Sequence, residues 1–249
     1  MGVTQGAFWL SPMLTGIFSA VCGLTVANIY YAQALIGPMT HDLAISSGWA
    51  GIIVTLTQLG YGAGLFLIVP LSDRVENRRL ILLTMTGLVC SLAGAAFSHS
   101  ATAFMLCSVA VGLCSVTSQI LLPLATHFVA PAMRGRVIGN IMGGLITGIM
   151  LSRPLANAVA AALGWRAVFW LSSFAMALVG AVLWRVLPVY APEQRLHYGA
   201  LLGSIGRLLL DYAALRRRIM YHGILFAVFN MFWTAAPLLS PYTHLRAHE

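Results

Sequence analysis

VPLSDRVENRRLIL, residues 69–82, concentrates Asp73, Arg74, Glu76, Arg78 and Arg79 within seven positions. Apolar sequence runs for many residues on either side, and the whole chain of 249 residues is 59% hydrophobic and only 8% charged. A soluble domain is about a quarter charged. Such a chain cannot cover a water-facing surface with polar groups, so its solvent is lipid. The knot of charge then reads as a wet turn between two spans, where backbone groups leaving a helix find water.

Outward from that turn, stretches of the ~20 apolar residues a bilayer demands predict seven spanning helices, over 13–35, 49–69, 80–97, 103–125, 137–163, 167–187 and 219–239. Gly37-Pro38, His99-Ser100, Pro131 with Gly135, and Gly164-Trp165 punctuate the connections, which are short enough to make neighbours antiparallel. All basic residues are arginine. Arg74, Arg78 and Arg79, then Arg134 and Arg136, then Arg185, Arg195, Arg207 and Arg216–Arg218 fall on one side; the opposite loops hold Arg166 and, if the tail lies there, Arg246. The positive-inside rule makes the arginine-rich side cytoplasmic and puts the N-terminus there too. The expected organisation is a six-helix transmembrane bundle over 1–188, a cytoplasmic linker over 189–218, a seventh spanning helix over 219–240 and a polar tail over 241–249. In the linker, Leu201, Leu202, Ile205, Leu208, Leu209 and Tyr212 recur at helical spacing. They fit an amphipathic helix lying on the membrane surface, and a solvated linker fits them as well.

A net charge of +8 invites a nucleic-acid reading. The arginines lie between apolar segments instead of on a soluble face, which argues for topology and against nucleic acid. Cys22, Cys90, Cys107 and Cys114 all sit in apolar runs without a CxxC pair or zinc-ligand spacing, so no metal and no cofactor is predicted. The first apolar stretch is too long for a signal-peptide core, and Gly6 breaks the myristoylation pattern, so the first helix is expected to be retained.

The charged turn resembles the loop between the second and third helices of the major facilitator superfamily, written G-x-L-A-D-R-x-G-R-[KR]. Leu71, Asp73, Arg74, Arg78 and Arg79 fit it, while Val69, Ser72 and Glu76 replace its first glycine, its alanine and its second glycine. Other segments resemble family stretches in the same order: ANIYYAQALIG (27–37) at the end of the first helix, RGRVIG (134–139) at the turn into the fifth, GWRAVFW (164–170) at the sixth, and FNMFWTAAPLL (229–239) at the seventh. The branch resembled is that of bacterial drug-efflux-like members. The resemblance implies an all-α membrane fold: a six-helix bundle built as a 3+3 repeat, with a seventh helix, as part of a larger transporter. It also implies that Asp73, with Arg74, Arg78 and Arg79, forms a conformational-switch loop that braces against a second six-helix half. From the residues alone, Asp73 is expected near the start of the third helix, where orphan N–H groups and the helix dipole favour a carboxylate. Topology and capping alone would also account for the loop.

Polar groups inside a bilayer are costly and therefore candidates for function. Arg153, in ITGIMLSRPLANAV, lies well inside the fifth span. It either faces a central cavity, where it can bind an anionic group, or snorkels to the outer interface. Asn157, four residues on, shares its face. Asn28, Tyr31, Gln58 and Gln119 complete the cavity candidates, with helix–helix hydrogen bonding as the alternative for each. The glycine-proline motif of family efflux members is only partly present: Gly148 fits, and Ser152, Arg153, Pro154 and Asn157 follow it. Ser108 stands where such members often carry an arginine in helix four. Asp42, Asp73, Glu76, Glu193, Asp211 and Glu249 all lie outside the expected spans, and His222 is the titratable group near the start of the seventh. The coupling ion is open, a proton among the candidates.

The predicted function is secondary transport, export of a small organic solute by alternating access, in a bacterial inner membrane. The partners are that solute and the bilayer. The alternative is a truncated, inactive fragment of such a transporter, since SPYTHLRAHE (240–249) departs from the family pattern. A seven-helix receptor or membrane enzyme is disfavoured: the spans hold no nucleophile triad, paired carboxylates or metal constellation.

Overall fold

The computed structural model describes residues 11–46, 49–191 and 197–245, with side chains to residue 232. In lipid a backbone N–H or C=O must be satisfied within the protein, and a helix does this for all but its ends. Every regular element among the described residues is helical. The helices are α1 (Pro12–Ala34), α2 (Ile36–Asp42), α3 (Ala50–Leu67), α4 (Asn77–Phe97), α5 (Ala101–Cys114), α6 (Thr117–His127), α7 (Arg134–Leu163), α8 (Trp165–Val186), α9 (Tyr198–Asp211) and α10 (Ala213–Leu245). Single 3-10 turns, Val69–Asp73 and Pro131–Met133, extend α3 and precede α7. Six spans are long and apolar enough to cross a membrane: Pro12–Ala34, Ala50–Asp73, Asn77–Phe97, Ala101–His127, Pro131–Leu163 and Trp165–Val186.

The ends follow local chemistry. Ser11 caps α1, its Oγ accepting from the Leu14 N–H at 3.2 Å, with Pro12 in the first turn where a missing N–H costs nothing. Ser100 caps α5 in the same way, at 3.3 Å from the Ala103 nitrogen. Gly164 separates α7 from α8 at φ +84°, a region that side chains disfavour. The third and fifth spans begin three residues earlier than the apolar pattern predicts, at Asn77 and Arg134, because a first turn can carry polar residues into the interface. The fourth span, expected as one helix over 103–125, is broken between α5 and α6. The Ser115 N–H bonds both Val111 and Gly112 carbonyls at 3.1 Å, and its Oγ also donates to Val111 at 2.6 Å. The bonding there shifts from α-type to 3-10-type, and a serine back-bond of this kind adds a bend at such a point.

The chain divides into two units, residues 1–194 and 195–249. In the first, α1 packs chiefly on α7, α3 on α5, and α4 on α8. Counted as two triplets of spans, the first of each triplet crosses the second of the other, and the two third spans pair. That is the pattern expected of an internal repeat. Both crossings are glycine contacts. A Cβ on Gly23 would meet the Gly144 carbonyl oxygen at 2.5 Å, and one on Gly148 would clash with the Gly23 backbone. At the other crossing a Cβ on Gly60 would clash with Val109, and one on Gly112 with Thr57. Small residues let spanning helices approach to backbone contact. Between the pairs runs one continuous core that includes Phe18, Met39, Ile81, Leu92, Phe104, Leu121 and Ile141. Phe104 stands edge-on to both Trp165 and Phe169, each with ring centroids 5.5 Å away. Outside, Leu59, Phe66, Leu83, Leu106, Met150, Phe174 and Leu178 are exposed, an apolar surface suited to acyl chains.

In the second unit α9 leads through Tyr212 into α10, and Arg216 Nη1 donates back to the Leu209 and Leu210 carbonyls at 2.9 and 2.6 Å. Residues 219–239 lie inside α10, which starts at Ala213 and so carries Arg216–Arg218 in its opening turns instead of ahead of it. His222 Nδ1 lies 3.0 Å from the Arg218 carbonyl of the same helix. The side chains of the polar stretch 241–249 lie outside the described residues.

Candidate functional site

Four helices of the first unit contribute to one polar row. On α7, Arg153 Nη2 donates to Gln33 Oε1 of α1 at 2.7 Å, and its guanidinium carbon lies 5.2 Å from the centre of the Tyr30 ring. Tyr30 is near enough to Tyr61 on α3 to interact with it electrostatically. The row ends on α6, where Gln119 Nε2 donates to the Tyr61 hydroxyl at 3.1 Å. Tyr30 and Gln33 are buried; Tyr61, Gln119 and Arg153 are half-buried. Helical spacing builds the row: Tyr30 and Gln33 are three residues apart on α1, Gln58 and Tyr61 three apart on α3, and each pair shares a face. Arg153 lies ten residues before the end of α7, roughly 15 Å at ~1.5 Å per residue. It is oriented there by a neutral amide and an aromatic face.

The other expected residues fall elsewhere. Asn28 is 2% exposed and donates to the Leu24 and Thr25 carbonyls of its own helix at 2.8 and 3.2 Å. Tyr31 points away from Tyr30 into an apolar groove among α1, α7 and α8, beside Ser172. Asn157 is exposed and its side chain makes no hydrogen bond within the described residues, so it does not join Arg153. Gln58 is half-buried on the face of α3 that carries Tyr61. Tyr30, Gln33 and Tyr61 were not predicted. The available signal was the spacing of Gln33 from Tyr30, together with the need of Arg153 for an acceptor on a neighbouring helix.

Each end of the bundle is tied by a cluster drawn from three connections. At one end Asp42 Oδ2, at the close of α2, accepts from the Trp165 indole at 3.0 Å and from Arg166. Arg166 also donates to the Ser98 carbonyl at 3.2 Å and lies over the Trp165 ring. The Arg166 guanidinium first, and the indole N–H second, hold the Asp42 carboxyl below its usual range. At the other end the Tyr190 carbonyl accepts from the Asn77 N–H at 3.0 Å. The Tyr190 ring stacks on His127 at 5.1 Å and meets Phe128 edge-on at 6.0 Å.

The charged turn of residues 69–82 belongs to this second end. Arg78 donates to the Trp184 carbonyl of α8, and Arg79 pairs with Glu76 at 3.1 Å. Asp73 and Arg74 are exposed, and their side chains make no hydrogen bond or ion pair within the described residues. Asp73 does not cap the third span. The helix begins at Asn77 with Glu76 in the cap position, and Asp73 sits earlier, in the 3-10 turn. Among the described residues no group of three or more His, Cys, Asp or Glu side chains is placed to hold a metal.

A helical bundle with six spans and a polar row among them is a multi-pass integral membrane protein. The sequence matches the family model of the Major Facilitator Superfamily over residues 13–247. The chain belongs to the major facilitator superfamily, a family of membrane transporters. It is 43% identical over 231 residues to YgaY, an uncharacterised transporter of Escherichia coli O157:H7, covering 92% of this chain and 58% of that protein. It is 31% identical to a probable transporter of Streptomyces coelicolor, covering 88% of this chain and 51% of the relative. A purine ribonucleoside efflux pump of Salmonella paratyphi A is 25% identical, covering 71% and 44%. The chain thus spans about half the length of the curated relatives it matches. In fold it resembles the crystal structure of a POT peptide transporter in complex with alafosfalin, at a TM-score of 0.61 and 16% identity, over 92% of this chain and 49% of that one.

Proposed function

We propose that this chain forms the first six-helix unit of a secondary transporter that exports a small organic solute by alternating access. The observation that carries the reading is the row Arg153–Tyr30–Tyr61–Gln119, which brings polar groups from four helices together inside the spans. Transporters of this build bind solute near the midplane, between repeats. Arg153, Gln119 and Gln58 contact the solute, with Tyr30, Gln33 and Tyr61 orienting them. Asn28, Tyr31 and Asn157 serve helix integrity, helix packing and the rim respectively. The end bearing Arg74, Arg78, Arg79, Arg134 and Arg136 faces the cytoplasm of a bacterium, by the positive-inside rule. Asp73 and Arg74 are the members of the charged turn left to engage another surface when the transporter changes state. Export as the direction is supported by the efflux pump among the relatives.

The test is ligand stabilisation of the purified chain in lipid nanodiscs, screened against anionic, neutral and cationic organic solutes. At least one solute is expected to raise the unfolding temperature, with the shift lost in Gln119→Leu and Tyr61→Phe. A panel without any stabilising solute would refute the site. Everted vesicles from cells expressing the chain should accumulate the stabilising solute, and vesicles that accumulate none would refute export.

A further inference from the structure

We propose that the cleft between the starts of α1 and α7 holds the headgroup of an anionic phospholipid, with its phosphodiester on Arg136. The proposal concerns the lipid at one end of two spans and does not depend on the transport reading above. Three observations meet there. First, the cleft is roomy: it measures about 560 Å³, and a Cβ on Gly16, Gly139 or Gly143 of its lining would meet nothing within 4 Å. One water takes up ~30 Å³ of liquid, so the space suits a group many times larger. Second, two polar side chains on its wall are unspent. Arg136 and Asn140 stand four residues apart on one face of α7; both are exposed, and neither side chain makes a hydrogen bond or ion pair within the described residues. The hydroxyls across the cleft are already occupied: Ser19 Oγ donates to the Asn140 carbonyl at 2.8 Å and Thr15 Oγ1 to the Ser11 carbonyl at 3.3 Å. Third, the charge is one-sided. Arg136 is the charged member of the described lining, and neither α1 nor α7 contains an Asp or Glu.

Depth selects a lipid over a soluble anion. Pro12 and Met133 line the mouth of the cleft, within the first three residues of their spans. Ser19 lies seven residues beyond Pro12, and Gly143 seven beyond Arg136, a descent of ~10 Å along each helix. The polar layer of one bilayer leaflet is roughly 5–8 Å deep. The cleft therefore runs from the headgroups past the ester groups to the first carbons of the acyl chains. A guanidinium fork matches two oxygens of a phosphate, and the single charges of the two groups balance. The Asn140 amide, one turn deeper, is placed to donate to an ester carbonyl of the same lipid. The ammonium of phosphatidylethanolamine would find no carboxylate on the described walls. Phosphatidylglycerol, a phosphodiester with an uncharged glycerol head, is the occupant that fits.

The experiment is native mass spectrometry of the full chain released from nanodiscs of equal parts phosphatidylglycerol and phosphatidylethanolamine, counting the lipids retained. Phosphatidylglycerol is expected to be retained about fivefold over its partner, the scale of one arginine near a charged surface. Arg136→Gln should bring the two lipids to parity. Arg185→Gln removes the same charge from the exposed end of α8, outside the cleft, and should leave the preference as it was. Gly139→Leu places a side chain in the open space and gains helix propensity, so it should expel the lipid without lowering the melting temperature. Glycerol phosphate, which has no acyl chains, should not displace the lipid at matched concentration. The proposal is overturned by equal retention of the two lipids in the parent, by a preference that survives Arg136→Gln, or by one that Arg185→Gln lowers as much. Displacement by glycerol phosphate would give the cleft to a soluble anion and overturn it too. The two arginine variants decide the matter even if Gly139→Leu folds poorly, and none of these outcomes bears on the transport reading.

Discussion

The crossing of α1 and α7 makes a quantitative prediction through a pair of substitutions on one helix, Gly23→Ala and Gly16→Ala. A Cβ at position 23 lies 2.5 Å from the Gly144 oxygen, about 0.9 Å short of the 3.4 Å at which ordinary contact begins. A Cβ at position 16 meets nothing within 4 Å, because α1 and α7 diverge there around a cleft of about 560 Å³. Both substitutions gain about 1 kcal/mol of helix propensity and the same relief of unfolded-state entropy, so these terms cancel in the comparison. What remains is the clash. The obstructing atoms are backbone, so relief requires the two helices to separate along their contact. A gap of ~0.5–1 Å forfeits a quarter to a half of each contact's attraction, and overpacking costs about 1–3 kcal/mol. Gly23→Ala is therefore expected to unfold about 1–3 kcal/mol more easily than Gly16→Ala. Reversible unfolding in mixed SDS and maltoside micelles, followed by tryptophan fluorescence and circular dichroism, measures that difference. Equal stability of the two variants would refute backbone contact at this crossing.

At the end tied by Asp42, the carboxyl titrates below its usual value of 3.8 because Arg166 and Trp165 hold its charged form. A depressed folded-state value means that the stabilisation is full above the unfolded value and fades as pH falls through the folded one. The intact chain should lose stability on acidification from about pH 5 to below 3, and Asp42→Asn should remove this group's share of the slope, as thermal melts across that range would reveal. Tyr190→Ala should lower the melting temperature by removing the His127 and Phe128 contacts, while Tyr190→Phe, which keeps both rings in contact, should melt near the parent; equal losses in the two would count against ring stacking as the cause. For Tyr61 and Gln119, a double-mutant cycle of Tyr61→Phe and Gln119→Leu is expected to give a coupling of about 0.5–1.5 kcal/mol, the net value of one hydrogen bond. Strict additivity would place that bond outside the folded ensemble.

The fold was legible because lipid leaves few alternatives. Apolar length marks the spans, and the charged turn of residues 69–82 marks both a boundary and the family. Periodicity could not register the break at Ser115, since a local shift of backbone bonding from α- to 3-10-type leaves apolar spacing intact. Nor could it register α2, a helix of seven residues. At the site, Arg153 stood out because a charge deep in a span is costly anywhere in the sequence. Its neighbours did not, because Tyr30 and Tyr31 are adjacent in sequence and look equivalent there. A rotation of about 100° between consecutive helical residues sends one toward Arg153 and the other into the α1–α7–α8 groove. Asp73 illustrates the opposite error: a plausible cap by proximity, displaced by a 3-10 turn that the pattern does not encode.

The matched glycine crossings, Gly23 with Gly148 and Gly60 with Gly112, bear on ancestry. If the two triplets of spans descend from one three-helix peptide, each crossing is a copy of the other that has drifted separately under the same steric demand. The molecule then holds an internal replicate. A substitution tolerated at one crossing forecasts tolerance at its twin, and a difference between the twins measures how far the two copies have specialised since they parted.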